Sequence, residues 1–535
     1  MSLEAELRAK LAAPVSYYKP VDLFQHLMSF WQQFALHKRR CEKSGKTVIS
    51  TFGDECPYPV WQRQIWLEEN NPPSAEFDFS KPFFEQLWEL AQTCPIPHNT
   101  GVPGENCEYT DDWWHSKNCY LCHSGLECED LRYCYRTYKI KDSQFCISTL
   151  FGELCSDVVY SEHCHNLCYA INTENCRDSA FLFDCRNCSN CLFCWNLRGA
   201  EYCYENQQLS KEEFEKLRAS LPFDSISWYK SAQKKFLELL KTKAWFRSQM
   251  LDLSYDCTGN FLKECNRCEN SFILNNSQDC LNYARGFQNK DNLDCVANMG
   301  AELVYLSVLV LERCFDVRYS YYIRTSSNLE YCGFCEDCSN CFACFGLKGE
   351  SYCILNKKYS PEEYKIKVQQ IKNKIIQENL EHQFFPSYFS PAPYDETIAG
   401  YHFPLSVDEQ KKRGYRNGKL VREKPANAET SEKFPDNLTE ADKVDILKKV
   451  FWDEAAKRPF QVVENELRFA KKQNLPLSDE YYAERIKRLF RWIPFNGELR
   501  ETKCASTGKT IFTQWGEEFD GRILSEEAYE KVIYG

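Results

Sequence analysis

Fifteen cysteines lie between Cys107 and Cys203, and fourteen of them are separated by multiples of three residues. Only Cys168 is out of phase. An α-helix repeats every ~3.6 residues and a two-faced strand every ~2, so neither produces a triplet rhythm. A chain wound into stacked, equal coils does. Steps of twelve recur within the set, as Cys122, Cys134, Cys146 and again as Cys164, Cys176, Cys188. Polyproline-type bundles share the period, but they need glycine at their axis, and the chain holds 21 glycines in 535 residues. The spacing predicts a mainly β solenoid.

The cysteine-rich part is duplicated. Cys185, Cys188, Cys191 and Cys194 are matched 150 positions later by Cys335, Cys338, Cys341 and Cys344, and the Tyr202-Cys203 pair by Tyr352-Cys353. Cys107 and Cys257 keep the same offset, as do Cys164 and Cys314. Cys119 and Cys122 match Cys265 and Cys268 after a four-residue slip. Each half should be a coil stack of about 100 residues, with 12–18 per coil and ~4.8 Å between coils, on the order of 25–40 Å long. Ser210 with Glu213, and Ser360 with Glu363, spell capping boxes that start a helix at the end of each half.

The predicted order is a helix plus ribbon-like hairpin over 1–106, solenoid half one over 107–205, capping and bridging helices over 206–256, solenoid half two over 257–355, a capping helix and extended strap over 356–435, and a degenerate zinc-ribbon-like α/β module over 436–535. Leu23, Leu27, Phe30, Trp31 and Phe34 mark an amphipathic helix in the first segment. The proline-containing strap carries Phe384, Phe385, Tyr388, Phe389, Tyr394, Tyr401 and Phe403, rings that call for burial.

A net charge of −11 removes any bulk attraction to nucleic acid or anionic membrane. The short basic runs Lys411-Lys412-Arg413 and Arg485-Ile486-Lys487-Arg488 read as solvated faces. No apolar signal core opens the chain, and no run of eighteen apolar residues occurs. We therefore expect a cytoplasmic protein with no membrane contact, whose thiols stay reduced; thirty-one is also an odd number of cysteines.

Two chemistries compete for the ladders Cys185, Cys188, Cys191, Cys194 and Cys335, Cys338, Cys341, Cys344. Thiolates three apart are able to clasp zinc. An iron–sulfur run would place its fourth ligand after three residues, with a proline following, which these runs lack. Free cysteine is also a small hydrophobe suited to a narrow coil interior. Ile140, Val158 and Ala170 occupy the cysteine phase elsewhere, and apolar residues replace a core cysteine but not a zinc ligand. A structural ladder without cofactor is the preferred reading, with zinc as the alternative. His163, Cys164, His165 and Cys168 form a further mixed candidate for metal. The tyrosines and phenylalanines beside the cysteines (Tyr120, Tyr133, Tyr169, Phe193, Phe334) read as an outer packing girdle rather than a platform for nucleic-acid bases, because acidic residues share their segments. No catalytic constellation is visible, so no enzymatic activity is expected.

With Arg40 to Lys46, Asp78 to Gln86, Cys185 to Tyr202, Cys335 to Tyr352 and Phe403-Pro404-Leu405 in hand, the chain resembles the uncharacterised cysteine-rich proteins of candidate-phyla-radiation bacteria. That resemblance implies an architecture with zinc-ribbon-like terminal modules and carries no activity. Here the implied knuckle positions hold Trp452, Ala455, Tyr481 and Glu484 in one module, and Cys504 with Thr507, Ser525 and Ala528 in the last. The N-terminal hairpin keeps Cys41 beside Ser44, Gln62 and Ile65. One thiolate does not hold structural zinc, so these modules are expected to be metal-free and held by Trp452, Phe460, Phe469 and Phe490. The function expected is a non-enzymatic scaffold for a protein partner, with a zinc-binding module acting on RNA or ribosomes as the alternative. Thiol redox chemistry is a weaker third, since buried thiols are inert.

Overall fold

The computed structural model describes residues 2–14, 19–32, 35–101, 104–107, 109–418 and 423–535. Strands outnumber helices, and two large, mostly parallel sheets dominate: eight strands ending at Gln208 and thirteen ending at Lys358. Both sheets finish in a short antiparallel hairpin, at Tyr204↔Gln207 and Ile354↔Lys357.

The local rule behind the triplets is a backbone one. From Asn106 to Glu205, every third residue has φ between +34° and +64°. These left-handed residues bend an otherwise extended chain, and four bends bring it back alongside itself after twelve residues. The pairings show that return: Leu167↔Ser179, Ala180↔Leu192, Cys191↔Cys203. We call each twelve-residue return a rung. The residue before each bend donates its N–H forward, as Tyr120 does to the Leu131 carbonyl at 2.9 Å. The bend residue donates backward, as Tyr133 does to the Tyr120 carbonyl at 3.0 Å. The third residue points inward. At twelve residues each, about eight rungs at ~4.8 Å make a stack roughly 40 Å long. Rings on adjacent rungs stack at the same spacing, Phe181 on Phe193 at 4.5 Å and Tyr322 on Phe334 at 4.4 Å.

The second stack obeys this rule with two exceptions. One rung has eleven residues (Leu251↔Leu262) and one has thirteen (Glu302↔Phe315). Between them the phase is displaced by one residue. The four-residue slip read from the cysteines is thereby replaced by a one-residue shift, which puts Cys119 level with Cys268 rather than Cys265.

Both predicted capping boxes are present, Ser210 with Glu213 and Ser360 with Glu363, heading the helices Lys211–Ser220 and Pro361–Gln377. The bridging helix Ile226–Lys243 lays Tyr229 and Phe236 against the rings of the first stack. The expected amphipathic helix is the second of the chain, Pro20–Met28, so Phe30 and Trp31 follow it, Phe30 fully buried against Tyr321; Phe34 lies outside the described residues. In the strap, Phe384, Phe385, Phe389 and Tyr394 are buried as expected, but Tyr388 is 38% exposed, resting edge-on against Trp88.

The tail docks on the first stack through the helix Tyr482–Phe490. Arg485 was expected on a solvated face. It is buried instead, donating from Nε and Nη2 to the fully buried Asp157 carboxylate and lying 4.1 Å over the Phe145 ring. The Tyr229 hydroxyl donates to the same carboxylate at 2.7 Å. Trp452, Phe469 and Phe490 are buried and Phe460 half-buried.

Gly125 takes an inward position one rung from Trp113, where a Cβ would stand 2.1 Å from the indole. We expect Gly125→Ala to destabilise the protein by about 1–3 kcal/mol through overpacking. Adding Trp113→Leu should recover part of the loss, read from urea midpoints at constant slope.

Candidate functional site

An inward residue in these stacks faces two demands. It must fit a narrow interior, where a large residue such as Trp113 needs a glycine on the next rung, and it meets an N–H from the next rung that the ladder leaves unpaired. Hydroxyls meet that N–H well: Ser143 accepts from the Cys155 N–H at 3.0 Å, and Ser179 from the Cys191 N–H at 2.9 Å. Thiols do the same, Cys122 for the Cys134 N–H at 3.5 Å and Cys314 for the Ser326 N–H at 3.4 Å. Such side chains then donate to the carbonyl two residues back in their own rung, or three back for Cys314 at the thirteen-residue rung. Cys134 reaches the Arg132 carbonyl at 3.3 Å, and Ser143 the Lys141 carbonyl at 2.6 Å. Cysteine is thus both a core hydrophobe and a connector between rungs.

The two candidate metal ladders are single rungs in which all four inward places are cysteine. Cys188, Cys191 and Cys194 donate to the carbonyls of Arg186, Ser189 and Leu192, each at 3.3 Å. Cys185 donates to the Phe183 carbonyl at 3.5 Å. Cys335, Cys338, Cys341 and Cys344 repeat the pattern at 3.3–3.5 Å. All eight are buried. Burial, and after it the neighbouring Cys188, pushes the Cys185 thiol well above its ordinary range; burial does the same to Cys335 and Cys344. Cys176, Cys185 and Cys191 favour a thiolate at Cys188, yet the ring as a whole is desolvated, and burial favours keeping its protons. Among the described residues no group of three or more His, Cys, Asp or Glu is disposed to hold a metal ion.

The mixed candidate is not brought together. Cys164 points inward, donating to the Glu162 carbonyl at 3.1 Å. His163 is exposed and stacks on Phe151 at 4.7 Å, and His165 is exposed on its strand. Cys168 leaves the triplet phase because it faces outward, 3.3 Å from the Tyr229 hydroxyl of the bridging helix.

Of the three expected sets of knuckle positions, two meet at a single sulfur. Cys41 accepts from the N–H groups of Ser44 at 3.4 Å and Gln62 at 3.2 Å. Cys504 accepts from the Ser525 N–H at 3.4 Å and lies 3.5 Å from the Ser506 hydroxyl and 3.8 Å from that of Ser525. Burial raises the Cys504 thiol, but the Ser525 N–H and the hydroxyls of Thr507 and Ser506 outweigh it and bring the thiol down to about 6. Zinc does not fit a set holding one thiolate.

The surface holds a feature the cysteine pattern conceals. Trp114, Leu126, Tyr138 and Leu150 pair in sequence as one outward column of the first stack. Phe287, Met299 and Leu311 form a column of the second. Lys263 pairs with Glu162 at 2.6 Å, and Arg324 lies 4.2 Å over Trp114, so the columns run antiparallel along one seam. Counting rungs from the Lys263–Glu162 pair sets Tyr138 level with Phe287 and Leu126 level with Met299. Leu126, Phe287 and Met299 are 38%, 41% and 39% exposed. Their twelve-residue spacing was visible in the sequence, but only to a reader tracking apolar residues alongside cysteines.

No protein-family profile and no curated protein matches the chain. Among solved structures, one match is the crystal structure of a candidate acetyltransferase from Desulfovibrio desulfuricans G20, at 11% identity and a TM-score of 0.12, covering 52% of this chain and 81% of that one. At that score the likeness carries no argument.

Two measurements probe the thiols. Cys188→Ser, which keeps both hydrogen-bonding roles, should be better tolerated than Cys188→Ala, which we expect to cost about 1–3 kcal/mol. Cys188→Asp should fail to fold stably. Equal damage from Ser and Ala would remove the connector role. For Cys504, thiolate absorbance lost in Cys504→Ser should titrate near 6. Because folding lowers this pKa from about 8.5, the thiolate's contribution to stability is complete above that pH and is lost as pH falls through 6. The stability gap between wild type and Cys504→Ser should therefore widen from pH 6 upward.

Proposed function

We propose that each stack is a β-solenoid of square cross-section, and that the pair is a non-enzymatic scaffold whose seam receives a protein partner. The exposed seam carries this reading. Leu126 from one stack, with Phe287 and Met299 from the other, leaves large apolar side chains 38–41% exposed along the two facing columns. A contiguous exposed apolar patch marks an interaction surface more often than isolated exposed residues do. A protein partner suits it better than nucleic acid, because these rings are flanked by Glu127, Glu302 and Glu312 as well as Lys139 and Lys290.

The inward thiols support a structural role, since each already serves the ladder. The second reading, a zinc-dependent module on RNA or ribosomes, would need ligands that Thr507, Ser525 and Ala528 do not supply.

The test uses the full chain, purified under reducing and oxygen-free conditions. Partners recovered with wild type should be lost with Leu126→Asp combined with Phe287→Asp, while circular dichroism and melting stay unchanged. Stoichiometric zinc with co-purifying RNA, or partners indifferent to both substitutions, would overturn the reading.

A further inference from the structure

A cleft of about 300 Å³ opens where the tail meets the first stack, away from the seam. Its walls are aromatic. Tyr120 and Tyr133 come from adjacent rungs, Phe460 from the tail's small sheet, and Tyr481 and Tyr482 from the start of the docking helix. Tyr133 stacks on Tyr482 at 5.5 Å, Tyr120 meets Tyr133 edge-on at 5.9 Å, and Tyr481 lies 4.8 Å from Tyr482. The lining holds two carboxyl groups, Glu466 and Glu480, and no Lys, Arg or His among its described residues.

The carboxyls differ. Glu480 sits at the rim and is bound by both terminal nitrogens of Arg488. Glu466 is buried and accepts the Tyr133 hydroxyl at 2.9 Å. Burial raises its pKa, as expected of an acid lacking a full counter-charge. The nearest guanidinium groups are committed elsewhere, Arg485 to Asp157 and Arg132 to Asp142 at 3.2 Å and to the Phe469 face at 4.4 Å.

Each feature selects against a class of ligand. Two carboxyls and no cation repel anions. A primary ammonium is best served by three acceptors held at one point, and the one buried carboxyl, Glu466, already accepts the Tyr133 hydroxyl, with the other polar groups of the lining on the Gln461, Ser478 and tyrosine side chains. An alkylated ammonium needs no donors satisfied, and ring faces attract it more strongly once water is excluded. We propose that this cleft binds a compact organic cation, an alkylated ammonium group held against the half-buried rings of Tyr120 and Tyr481 with Glu466 as its counter-charge. The group has two possible sources, a free small molecule or a methylated lysine side chain.

The experiment titrates the full-length protein with choline and with its neutral carbon isostere 3,3-dimethylbutan-1-ol, following tyrosine fluorescence. Choline should saturate, and the alcohol should bind at least ~10-fold more weakly, about 1.4 kcal/mol. Tyr120→Leu keeps apolar bulk and removes a ring face; Glu466→Gln keeps shape and removes charge. Each should weaken choline ~10-fold or more with the melting temperature preserved. If Glu466→Gln does not fold, Tyr120→Leu decides, because that ring is only half-buried. N-acetyl-trimethyl-lysine amide binding more tightly than choline assigns the source to a modified side chain; choline binding as tightly or more so assigns it to a free molecule. Equal binding of choline and the alcohol, absence of saturation, or folded variants that bind choline like wild type would overturn the proposal.

Discussion

A left-handed residue at every third position is the constraint on which the rest of this structure depends. Each such residue costs backbone free energy when it is not glycine, on the order of 1–3 kcal/mol. The structure repeats it through both stacks, so something must offset it at every step. The offset is the pairing it permits: one N–H donated forward, one backward, and a third turned inward to a side chain. Asn and Asp tolerate the conformation best and also bond to their own kind one rung away. Asn270 donates to Asn282, and Asn282 to Asp294, each at 2.8 Å. Where tyrosine or phenylalanine takes the place in the column from Tyr133 to Phe193, helices and tail cover the ring, whereas Tyr109 and Phe151 stay 38% exposed.

That division explains two separate interiors. Inside each stack lie cysteines mixed with aliphatic residues, plus Trp113 in the first and Tyr283 in the second. Outside, a much larger aromatic layer joins the stacks to the N-terminal helix, the strap and the tail. The bend residues Tyr133, Phe145, Asp157, Tyr169, Phe181 and Phe193 form one column, and that single column receives both the docking helix and the bridging helix. Asp157 is its one charged member, and Arg485 meets it there. Chemistry that reads as reactive in the sequence is, for most of the thirty-one thiols, spent inside the stacks on packing and connecting rungs, while the exposed seam is apolar and aromatic.

The triplet rhythm was legible because the inward place admits so few side chains. Cys122, Cys134 and Cys146 display the twelve-residue return directly, and the capping boxes mark where each stack closes. The left-handed rule was not legible, since Tyr133, Arg136 and Phe145 obey it beside Asn106 and Asn118. Ser143, Ser161 and Ser179 share the cysteine phase and were the overlooked clue that the inward place wants a hydrogen-bonding group and not only small size. The Arg485–Asp157 pair joins residues 328 apart, and no local pattern announces it. Glu466 likewise looks like any first-turn helix acid until the rings around it are placed.

The rungs of eleven and thirteen residues carry a consequence for how such a chain can change length. Adding or removing twelve residues leaves every face beyond the change where it was. Three residues rotate everything beyond it by a quarter turn, and one residue exchanges inward for outward. The second stack contains a loss of one and a gain of one, about four rungs apart, and the pair cancels. It behaves as two opposite dislocations in a crystal: the displaced register is trapped between them, and order resumes on the far side as though neither existed. The trapped segment, from Leu262 to Leu311, is the one that carries Phe272 against Phe24 and Phe495, and Phe287 and Met299 out to the seam. A defect that would scramble a stack when alone has, as a pair, re-aimed one stretch of surface without disturbing its neighbours.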